Sequence, residues 1–351
     1  MKKLRFIILI FAAALINSCV SNDEFGLSPY KDIVKFEIDG QAGITTINKE
    51  EKKITIPIGE DVEIANLVPS LIEISNMATI SPGKEEAQDF NNDVVYTVTA
   101  EDGSSEMWTV SVVSAAPNPQ LPNSDFNLWY AVGKYYQPGE SVDNTVWGTA
   151  NKAMAIAGQA NTNPVDLGLG DIAAKLRSEA APLLVRMAAA TLFTGKFTDG
   201  FPNATDPRSN IDFGTPFSAR PDAFKVDYKY IPGASYEDAK GNVLPGGDEC
   251  DIYVLLEKRD GDNVARVATG WFRSDVEVAE WKTIEIELKY GELSPSDSEF
   301  EYANIREGES WASAQDMPTH ITVVFSSSAL GDFFTGAIGS ELWINNFELV
   351  Y

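Results

Sequence analysis

Short runs in which apolar and polar residues alternate follow one another along almost the whole chain. Alternation with a period of two is the pattern of a half-buried β-strand. In the first third, such runs occupy residues 33–38, 53–58, 94–99 and 107–112. The last two flank Asp102-Gly103, and Asp-Gly between two alternating runs predicts a β-hairpin. Strand spacing and length over residues 30–114 predict a small antiparallel sandwich of immunoglobulin type.

A second and larger set of alternating runs fills residues 123–351. More than seven strands in about 230 residues predict a jelly-roll sandwich. One helix is expected at residues 171–177, with Asp171 as its N-cap. The strands are predicted at residues 192–197, 224–230, 250–257, 264–272, 281–290, 320–326 and 341–351. The expected fold class is therefore all-β, with two sandwiches in series.

A proline-rich segment at residues 115–122 separates the two regions. Proline fixes its own backbone and removes a hydrogen-bond donor, so repeated prolines favour an extended and semi-rigid chain. The segment is predicted to be an interdomain linker.

The first 18 residues have the pattern of a secretory signal peptide, with cations at Lys2, Lys3 and Arg5 and an apolar stretch at residues 6–16. This stretch is too short to span a bilayer as a helix. The junction Ser18-Cys19 resembles a bacterial lipobox. That resemblance implies cleavage before Cys19 and lipidation of its thiol, so that acyl chains hold the protein to a membrane surface. An ordinary signal peptide with an incidental cysteine is the alternative.

Residues 19–29 are predicted to be a polar tether, and Asp23 and Glu24 lie just behind the cysteine. The acidic pair resembles the surface-export signal of Bacteroidetes lipoproteins. The resemblance implies an outer-membrane lipoprotein that faces the outside of the cell. A generic flexible tether is the alternative reading.

The chain is strongly acidic, with 27 Lys+Arg against 52 Asp+Glu and a net charge of −25. Loss of three cations with the signal peptide takes the net charge from −25 to −28. A field of this sign repels nucleic acids and anionic membrane surfaces. We therefore expect no nucleic-acid partner, and contact with the membrane only through the lipid anchor.

Cysteine and histidine are too scarce for most metal or nucleophilic chemistry, because the chain has two cysteines and one histidine. If Cys19 is lipidated, Cys250 has no partner for an intrachain disulfide. Cys250 is predicted to be a buried structural thiol. His320 opens a predicted strand, where a structural or exposed role is expected. A zinc site of the usual kind is excluded by ligand count, and no cofactor is expected.

Three stretches of the larger region resemble one family: residues 213–221 running into 228–230, residues 325–328, and residues 331–349. They resemble the putative carbohydrate metabolism domain of Bacteroidetes lipoproteins. The resemblance implies a jelly roll similar to carbohydrate-binding modules and lectin-like glucanases. The family often has Asp where this chain has Asn345 or Asn346, which argues against a calcium ligand there.

The N-terminal region also carries a resemblance, through residues 33–38, 80–83 and 96–103. It is similar to the immunoglobulin-like modules found just after the lipid anchor of many Bacteroidetes surface proteins. Such modules act mostly as spacers, and this role is expected here.

A sugar ligand requires aromatic faces for the pyranose rings and polar side chains for the hydroxyls. Five candidates for binding an oligo- or polysaccharide are Trp129, Trp147, Arg220, Asp332 and Phe333. Trp147 precedes a loop-like sequence that would expose it, although tryptophan in a sandwich is more often core. Arg220 would otherwise form a buried salt bridge to a loop carboxylate.

Two further functions are compatible with the sequence. Asp275, Glu277 and Glu280 have a spacing similar to that of the acids of laminarinase-type glucanases, which makes them candidate catalytic residues of a glycoside hydrolase. An adhesion or scaffold protein would instead present an exposed apolar patch. The preferred prediction is a surface-anchored protein that captures glycans beside other glycan-uptake proteins.

Overall fold

The structure, a computed structural model, describes residues 26–43, 45–59, 62–114, 118–181, 185–198, 203, 205–261 and 263–351. The predicted signal peptide and Cys19 lie outside the described residues, as do residues 115–117 of the predicted linker. Within these ranges no helix has the length and apolar character needed to cross a membrane.

The N-terminal region is a β-sandwich, as predicted. A five-stranded sheet in the order β2-β3-β7-β6-β5 faces the antiparallel pair β1-β4. β3 and β7 are parallel, and the other neighbours in these sheets are antiparallel. The strands are β1 (Ile33–Ile38), β2 (Thr46–Asn48), β3 (Lys53–Ile58), β4 (Pro69–Ile74), β5 (Thr79–Ser81), β6 (Val94–Thr99) and β7 (Ser105–Ser114).

The core of this sandwich is built from the inward residues of the alternating runs. Phe36 and Tyr96 meet edge to face with ring centroids 5.2 Å apart, and Trp108 is fully buried. The hairpin predicted at Asp102-Gly103 is confirmed. Gly103 has a φ of 82°, and the Asp102 carboxylate accepts the Ser104 N–H at 2.8 Å, as such a turn requires.

The C-terminal region is almost entirely β, which confirms the predicted fold class. Its first half contains β8 (Trp129–Val132), β9 (Tyr135–Pro138), β10 (Trp147–Thr149), the helix α1 (Asn151–Ala157), β11 (Thr162–Gly168), β12 (Asp171–Arg177), β13 (Glu179–Ala181), β14 (Val185–Ala188), β15 (Thr191–Phe197), a 3₁₀ turn at Pro207–Asn210, β16 (Ile211–Phe213) and β17 (Thr215–Pro216). Its second half contains β18 (Ala223–Ile231), β19 (Tyr236–Glu237), β20 (Cys250–Asp260), β21 (Asn263–Ser274), β22 (Val278–Glu287), β23 (Lys289–Tyr290), β24 (Glu309–Trp311), β25 (His320–Ser326), a 3₁₀ turn at Gly331–Phe333, β26 (Gly336–Ala337) and β27 (Glu341–Val350).

Two large sheets form the jelly roll. The front sheet has the order β10-β15-β25-β20-β21-β23, with β16, β17 and β24 paired at its margins. The back sheet has the order β11-β12-β27-β18-β22. The main hydrophobic core lies between them and includes Ile252 and Phe325 from the front sheet and Phe224 and Ile344 from the back sheet. The fully buried Cys250 belongs to this core, so its prediction as a buried thiol is confirmed.

The front sheet also carries apolar side chains on its outer face. Phe193, Tyr253, Trp271 and Val324 form a second buried cluster there. In β20, residues on both faces are therefore buried, and the strand is covered from Cys250 to Glu257. This outer cluster forms the floor of the site described below.

The helix predicted at residues 171–177 is wrong, because this segment is the strand β12. β12 lies between β11 and β27 and pairs with both in antiparallel register. Ala174 and Leu176 pack into the core as alternate residues of a strand. Pairing on both edges outweighs the helix propensity of the alanines. The helix α1, at Asn151–Ala157, was not predicted.

The end of the predicted linker packs on the jelly roll. The Gln120 side chain donates to the Leu349 carbonyl oxygen at 2.7 Å and accepts the Leu349 N–H at 2.8 Å. Leu121 is buried in the main core. These two residues are therefore fixed parts of the C-terminal region rather than a free spacer.

The predicted exposure of Trp147 is also wrong. Its side chain is only 2% exposed and meets Phe126 edge to face at 5.0 Å. The indole N–H donates to the Pro122 carbonyl oxygen at 2.7 Å. Trp147 is therefore a residue of the main core that packs against the first residues of the C-terminal region.

Replacing Trp147 with Phe should lower the free energy of unfolding of the C-terminal region by about 1–3 kcal/mol, because the smaller ring leaves space in the core and the hydrogen bond to the Pro122 carbonyl oxygen is lost. Urea unfolding of residues 26–351 measures the change. Tyr136→Phe is the matched control, since Tyr136 is 49% exposed and should change stability by less than about 0.5 kcal/mol. Equal stability of Trp147→Phe and the native chain would contradict this account.

Candidate functional site

A cleft of about 660 Å³ opens on the outer face of the front sheet. Its floor consists of Phe193 from β15, Val324 from β25, Tyr253 from β20 and Trp271 from β21. Strands place these side chains on one face because alternate residues of a strand point the same way. The volume lies within the range of sites that bind organic ligands.

Two aromatic rings at the centre of the floor stack on each other. Tyr253 and Trp271 are register partners of the β20–β21 ladder. Their ring centroids lie 3.9 Å apart, with 21° between the ring planes. Tyr302 meets Trp271 edge to face at 6.1 Å. Cross-strand aromatic pairs of this kind stabilise a sheet and hold each ring in one orientation.

Asp251, which lies on the same face of β20 as Tyr253, fixes this floor. Its carboxylate accepts the Trp271 indole N–H at 3.0 Å. Arg273 donates two further hydrogen bonds to it, from Nε at 2.7 Å and from Nη2 at 2.6 Å. The Arg273 guanidinium lies 4.5 Å from the centroid of the Tyr302 ring. One buried carboxylate thus sets the positions of an indole, a guanidinium and, through it, a phenol ring.

The ion pair between Asp251 and Arg273 is bidentate and almost fully buried. Burial lowers the pKa of Arg273, but the hydrogen bonds and charge of Asp251 outweigh this effect and raise it. The guanidinium is therefore charged throughout the physiological range, and the Asp251 carboxylate serves as its counter-ion.

One wall of the cleft is the segment around the 3₁₀ turn at Pro207–Asn210. Arg208 from this turn donates from Nη1 to Asp332 Oδ2 at 2.8 Å. Its guanidinium also lies 4.3 Å from the centroid of the Phe213 ring. Burial lowers the pKa of Arg208, but the nearby Tyr253 and Asp332 outweigh this and raise it.

A second wall carries Glu301, Tyr302 and Arg306. The buried side chain of Arg266 ties this wall to β21. Arg266 donates from Nη1 to the Ala303 carbonyl oxygen and from Nη2 to Glu309 Oε2, each at 2.6 Å. A charged group from the sheet therefore positions the irregular segment that supplies the wall.

The third wall carries Asp332, Phe333 and Phe334. The Phe333 side chain is 70% exposed at the rim. The buried carboxylate of Asp248 holds the base of this wall and accepts hydrogen bonds from both of its ends.

Four donors surround Asp248. They are the hydroxyls of Ser328 and Ser340, each at 2.6 Å, the Ala337 N–H at 2.8 Å and the Glu249 N–H at 3.0 Å. Ser328 and Ser340 lie before and after the wall segment in sequence. Asp248 therefore closes this loop at its base.

Two of the five residues predicted to bind a ligand, Asp332 and Phe333, line the cleft. The other three lie elsewhere. Trp147 is in the core. Trp129 packs against that core and donates its indole N–H to the Phe126 carbonyl oxygen at 2.7 Å.

Arg220 is engaged by the protein itself. It donates to the carbonyl oxygens of Ala314 (2.7 Å) and Asp316, and its guanidinium lies 4.0 Å from the centroid of the Tyr290 ring. The partners are backbone carbonyls rather than the loop carboxylate considered from the sequence. Arg220 thus fastens the segment before β25 to the sheet.

The three acids with glucanase-like spacing are not among the described residues that line the cleft. Asp275, Glu277 and Glu280 are all exposed, at and beyond the end of β21 and in β22. The cleft has its own acids instead: Asp206, Asp251, Glu301 and Asp332. No group of three or more His, Cys, Asp or Glu side chains in the described part of the chain could hold a metal ion.

Sequence reasoning missed the floor of the cleft, although its signal was present. The run at residues 250–257 alternates only weakly, because apolar residues occupy both of its faces. Such a run is typical of a strand covered on both sides. It indicated that something lies over this part of the sheet, but not which segments cover it.

Solved structures provide three comparisons. A protein of Bacteroides thetaiotaomicron described as a putative glycoside hydrolase is 26% identical, with a TM-score of 0.56, over 94% of this chain and 99% of that chain. A Bacteroides vulgatus protein with the same description is 23% identical, with a TM-score of 0.48, over 64% and 94%. The family 11 carbohydrate-binding module of Clostridium thermocellum is 13% identical, with a TM-score of 0.31, over 63% and 97%. No curated protein matches the chain.

Family comparisons cover both regions of the chain. Residues 33–112 match the N-terminal domain of surface glycan-binding proteins. Residues 123–350, which include both sheets of the jelly roll and the whole cleft, match the putative carbohydrate metabolism domain. The resemblance seen in the sequence is thus confirmed, and the chain belongs to the putative carbohydrate metabolism domain family.

Proposed function

We propose that the C-terminal domain binds an oligo- or polysaccharide in the cleft on the front sheet, and that Cys19 anchors the protein to the outer membrane. The observation that carries the proposal is the composition of the cleft. Aromatic rings line it together with arginines, carboxylates and amides. The aromatic residues are Phe193, Phe197, Phe213, Tyr253, Trp271, Tyr302, Phe333 and Phe334.

This composition suits the two surfaces of a sugar. Pyranose rings have apolar faces that pack on aromatic rings, and their hydroxyls both donate and accept hydrogen bonds. Phe333 offers an exposed ring at the rim, and Tyr302 offers a partly exposed ring on another wall. Glu301 and Asn203 line the same cleft with exposed polar groups.

The cleft is also rigid at its floor. The stack of Tyr253 on Trp271 and the bidentate pair of Asp251 and Arg273 hold it without a ligand. A site that is already ordered loses little conformational entropy on binding. An adhesion or scaffold role is less well supported, because it predicts an apolar patch rather than a polar cleft lined with aromatic rings.

The comparisons support a carbohydrate ligand as a class. The family description concerns carbohydrate metabolism, and the N-terminal match concerns surface glycan-binding proteins. The Bacteroides thetaiotaomicron relative is described as a putative glycoside hydrolase. Each of these points to glycans without naming the sugar or its linkage.

Residues 26–351 should be retarded in affinity gels by at least one plant or host polysaccharide. Phe333→Ala should weaken that binding about tenfold, because loss of one stacking ring is worth about 1.4 kcal/mol. Tyr30→Ala is the matched control, since Tyr30 is 68% exposed and lies in the N-terminal region. Equal retardation of the two variants would contradict the proposed site.

Hydrolysis of the bound glycan is the second candidate function. It is favoured by the presence of Glu301 and Asp332 on two different walls of the cleft. A glycoside hydrolase uses two carboxyl groups on either side of the scissile bond. Asp251 is less suitable, because Arg273 and Trp271 occupy its oxygens.

If the protein is a hydrolase of this kind, Glu301→Gln should reduce the release of reducing sugar about a hundredfold or more, since acid–base catalysis supplies factors of that size. Glu277→Gln is the control, because Glu277 is exposed and outside the cleft. Loss of activity in Glu277→Gln alone would instead favour the acids at residues 275–280. If the protein binds a glycan but releases no sugar from it, hydrolysis is contradicted and only the binding function stands.

The membrane anchor has its own test. In Bacteroides cells, Cys19→Ala should move the protein from the membrane fraction to a soluble fraction, because acyl chains provide the attachment. Cys250→Ala should leave it in the membrane fraction, since Cys250 is buried in the core. Retention of Cys19→Ala in the membrane would disprove lipid anchoring.

A further inference from the structure

We infer that the glycan bound in the cleft is uncharged, rather than a uronic acid polymer or a sulfated glycan. The inference rests on the proposed function and narrows its ligand class. It is drawn from the charges that face the cleft and from the partners of each charge.

The described residues that line the cleft do not form a cationic site. They include the three arginines Arg208, Arg273 and Arg306, and no lysine or histidine. Against them are the four carboxylates Asp206, Asp251, Glu301 and Asp332. Three positive and four negative groups give a net charge of minus one.

Each arginine already has a carboxylate partner. Arg273 forms its bidentate pair with Asp251, and Arg208 bonds to Asp332 at 2.8 Å. Arg306 lies 3.7 Å from Glu309. An acidic sugar would therefore meet guanidinium groups whose charge a carboxylate already balances, and displacing Asp251 would leave a buried charge without a partner.

Two of the carboxylates in the cleft are without such compensation. Asp206 and Glu301 are exposed, and neither makes a salt bridge with a described residue. Carboxylates are good acceptors for sugar hydroxyls. The same groups repel a carboxylate or sulfate on a ligand, so they favour a neutral sugar over an acidic one.

The long-range field acts in the same direction. The chain has a net charge of −25, so a polyanion is repelled before it reaches the cleft. A neutral polysaccharide experiences no such barrier. Its contacts with Phe333 and Tyr302 depend on packing and desolvation, which salt changes little.

The test uses residues 26–351 and one polysaccharide in two forms. Neutral glucans, mannans, xylans and galactans are first compared with polygalacturonate and chondroitin sulfate in affinity gels. The best neutral binder is then oxidised at its primary hydroxyls to carboxylates. We expect oxidation to weaken binding about tenfold or more at about 20 mM salt, and about 500 mM salt to recover part of the loss by screening. The affinity of the neutral form should change by less than about twofold over the same range.

The outcomes separate this inference from the proposed function. Tighter binding of the oxidised form or of a natural polyanion, with affinity that falls as salt rises, would overturn the inference but leave glycan binding intact. Failure to bind either set would overturn the proposed function, and the inference with it. As an internal control, Glu301→Gln should bind the oxidised form better than the native chain does, because one repelling charge in the cleft is removed.

Discussion

The cleft depends on one buried carboxylate, Asp251. Burying an ion costs several kcal/mol unless its hydrogen-bonding capacity is filled, and here Arg273 and the Trp271 indole fill it. In doing so they become fixed themselves. Trp271 then fixes Tyr253 by stacking, and Arg273 lies against Tyr302. The electrostatic requirement of one residue thus orders the aromatic floor and part of a wall.

The walls of the cleft are also positioned by buried charged groups. Irregular segments bury few apolar groups, so packing alone positions them poorly. Arg266 reaches from β21 to the Ala303 carbonyl oxygen and Glu309, and Asp248 closes the base of the segment that carries Asp332 and Phe333. Arg266 lies within β21, and Asp248 lies two residues before the start of β20. The front sheet therefore transfers its rigidity to the loops that would touch a ligand.

The sequence predicted features that depend on local pattern and missed those that depend on distant segments. The Asp102-Gly103 hairpin and the main strands follow from turn chemistry and alternation. Residues 171–177 carry a local helix signal, but their two neighbours, β11 and β27, decide their conformation as a strand. The loop-like residues after Trp147 indicate exposure, whereas contacts with Phe126 and Pro122 determine its burial. Asp332 and Phe333 line the cleft, and their glycine-flanked loop with an acid and aromatics is a local signal that the sequence carries by itself.

The floor of the cleft shows that a strand buried on both of its faces can indicate the position of a site. An antiparallel sheet in a sandwich normally packs one face on the core and exposes the other. β20 departs from this, since its residues from Cys250 to Glu257 are buried on both faces. The second layer, formed by Phe193, Tyr253 and Trp271, is covered by loops that are distant in sequence. Since those loops also form the walls of the cleft, the loss of alternation in one strand and the presence of a cleft have the same physical cause.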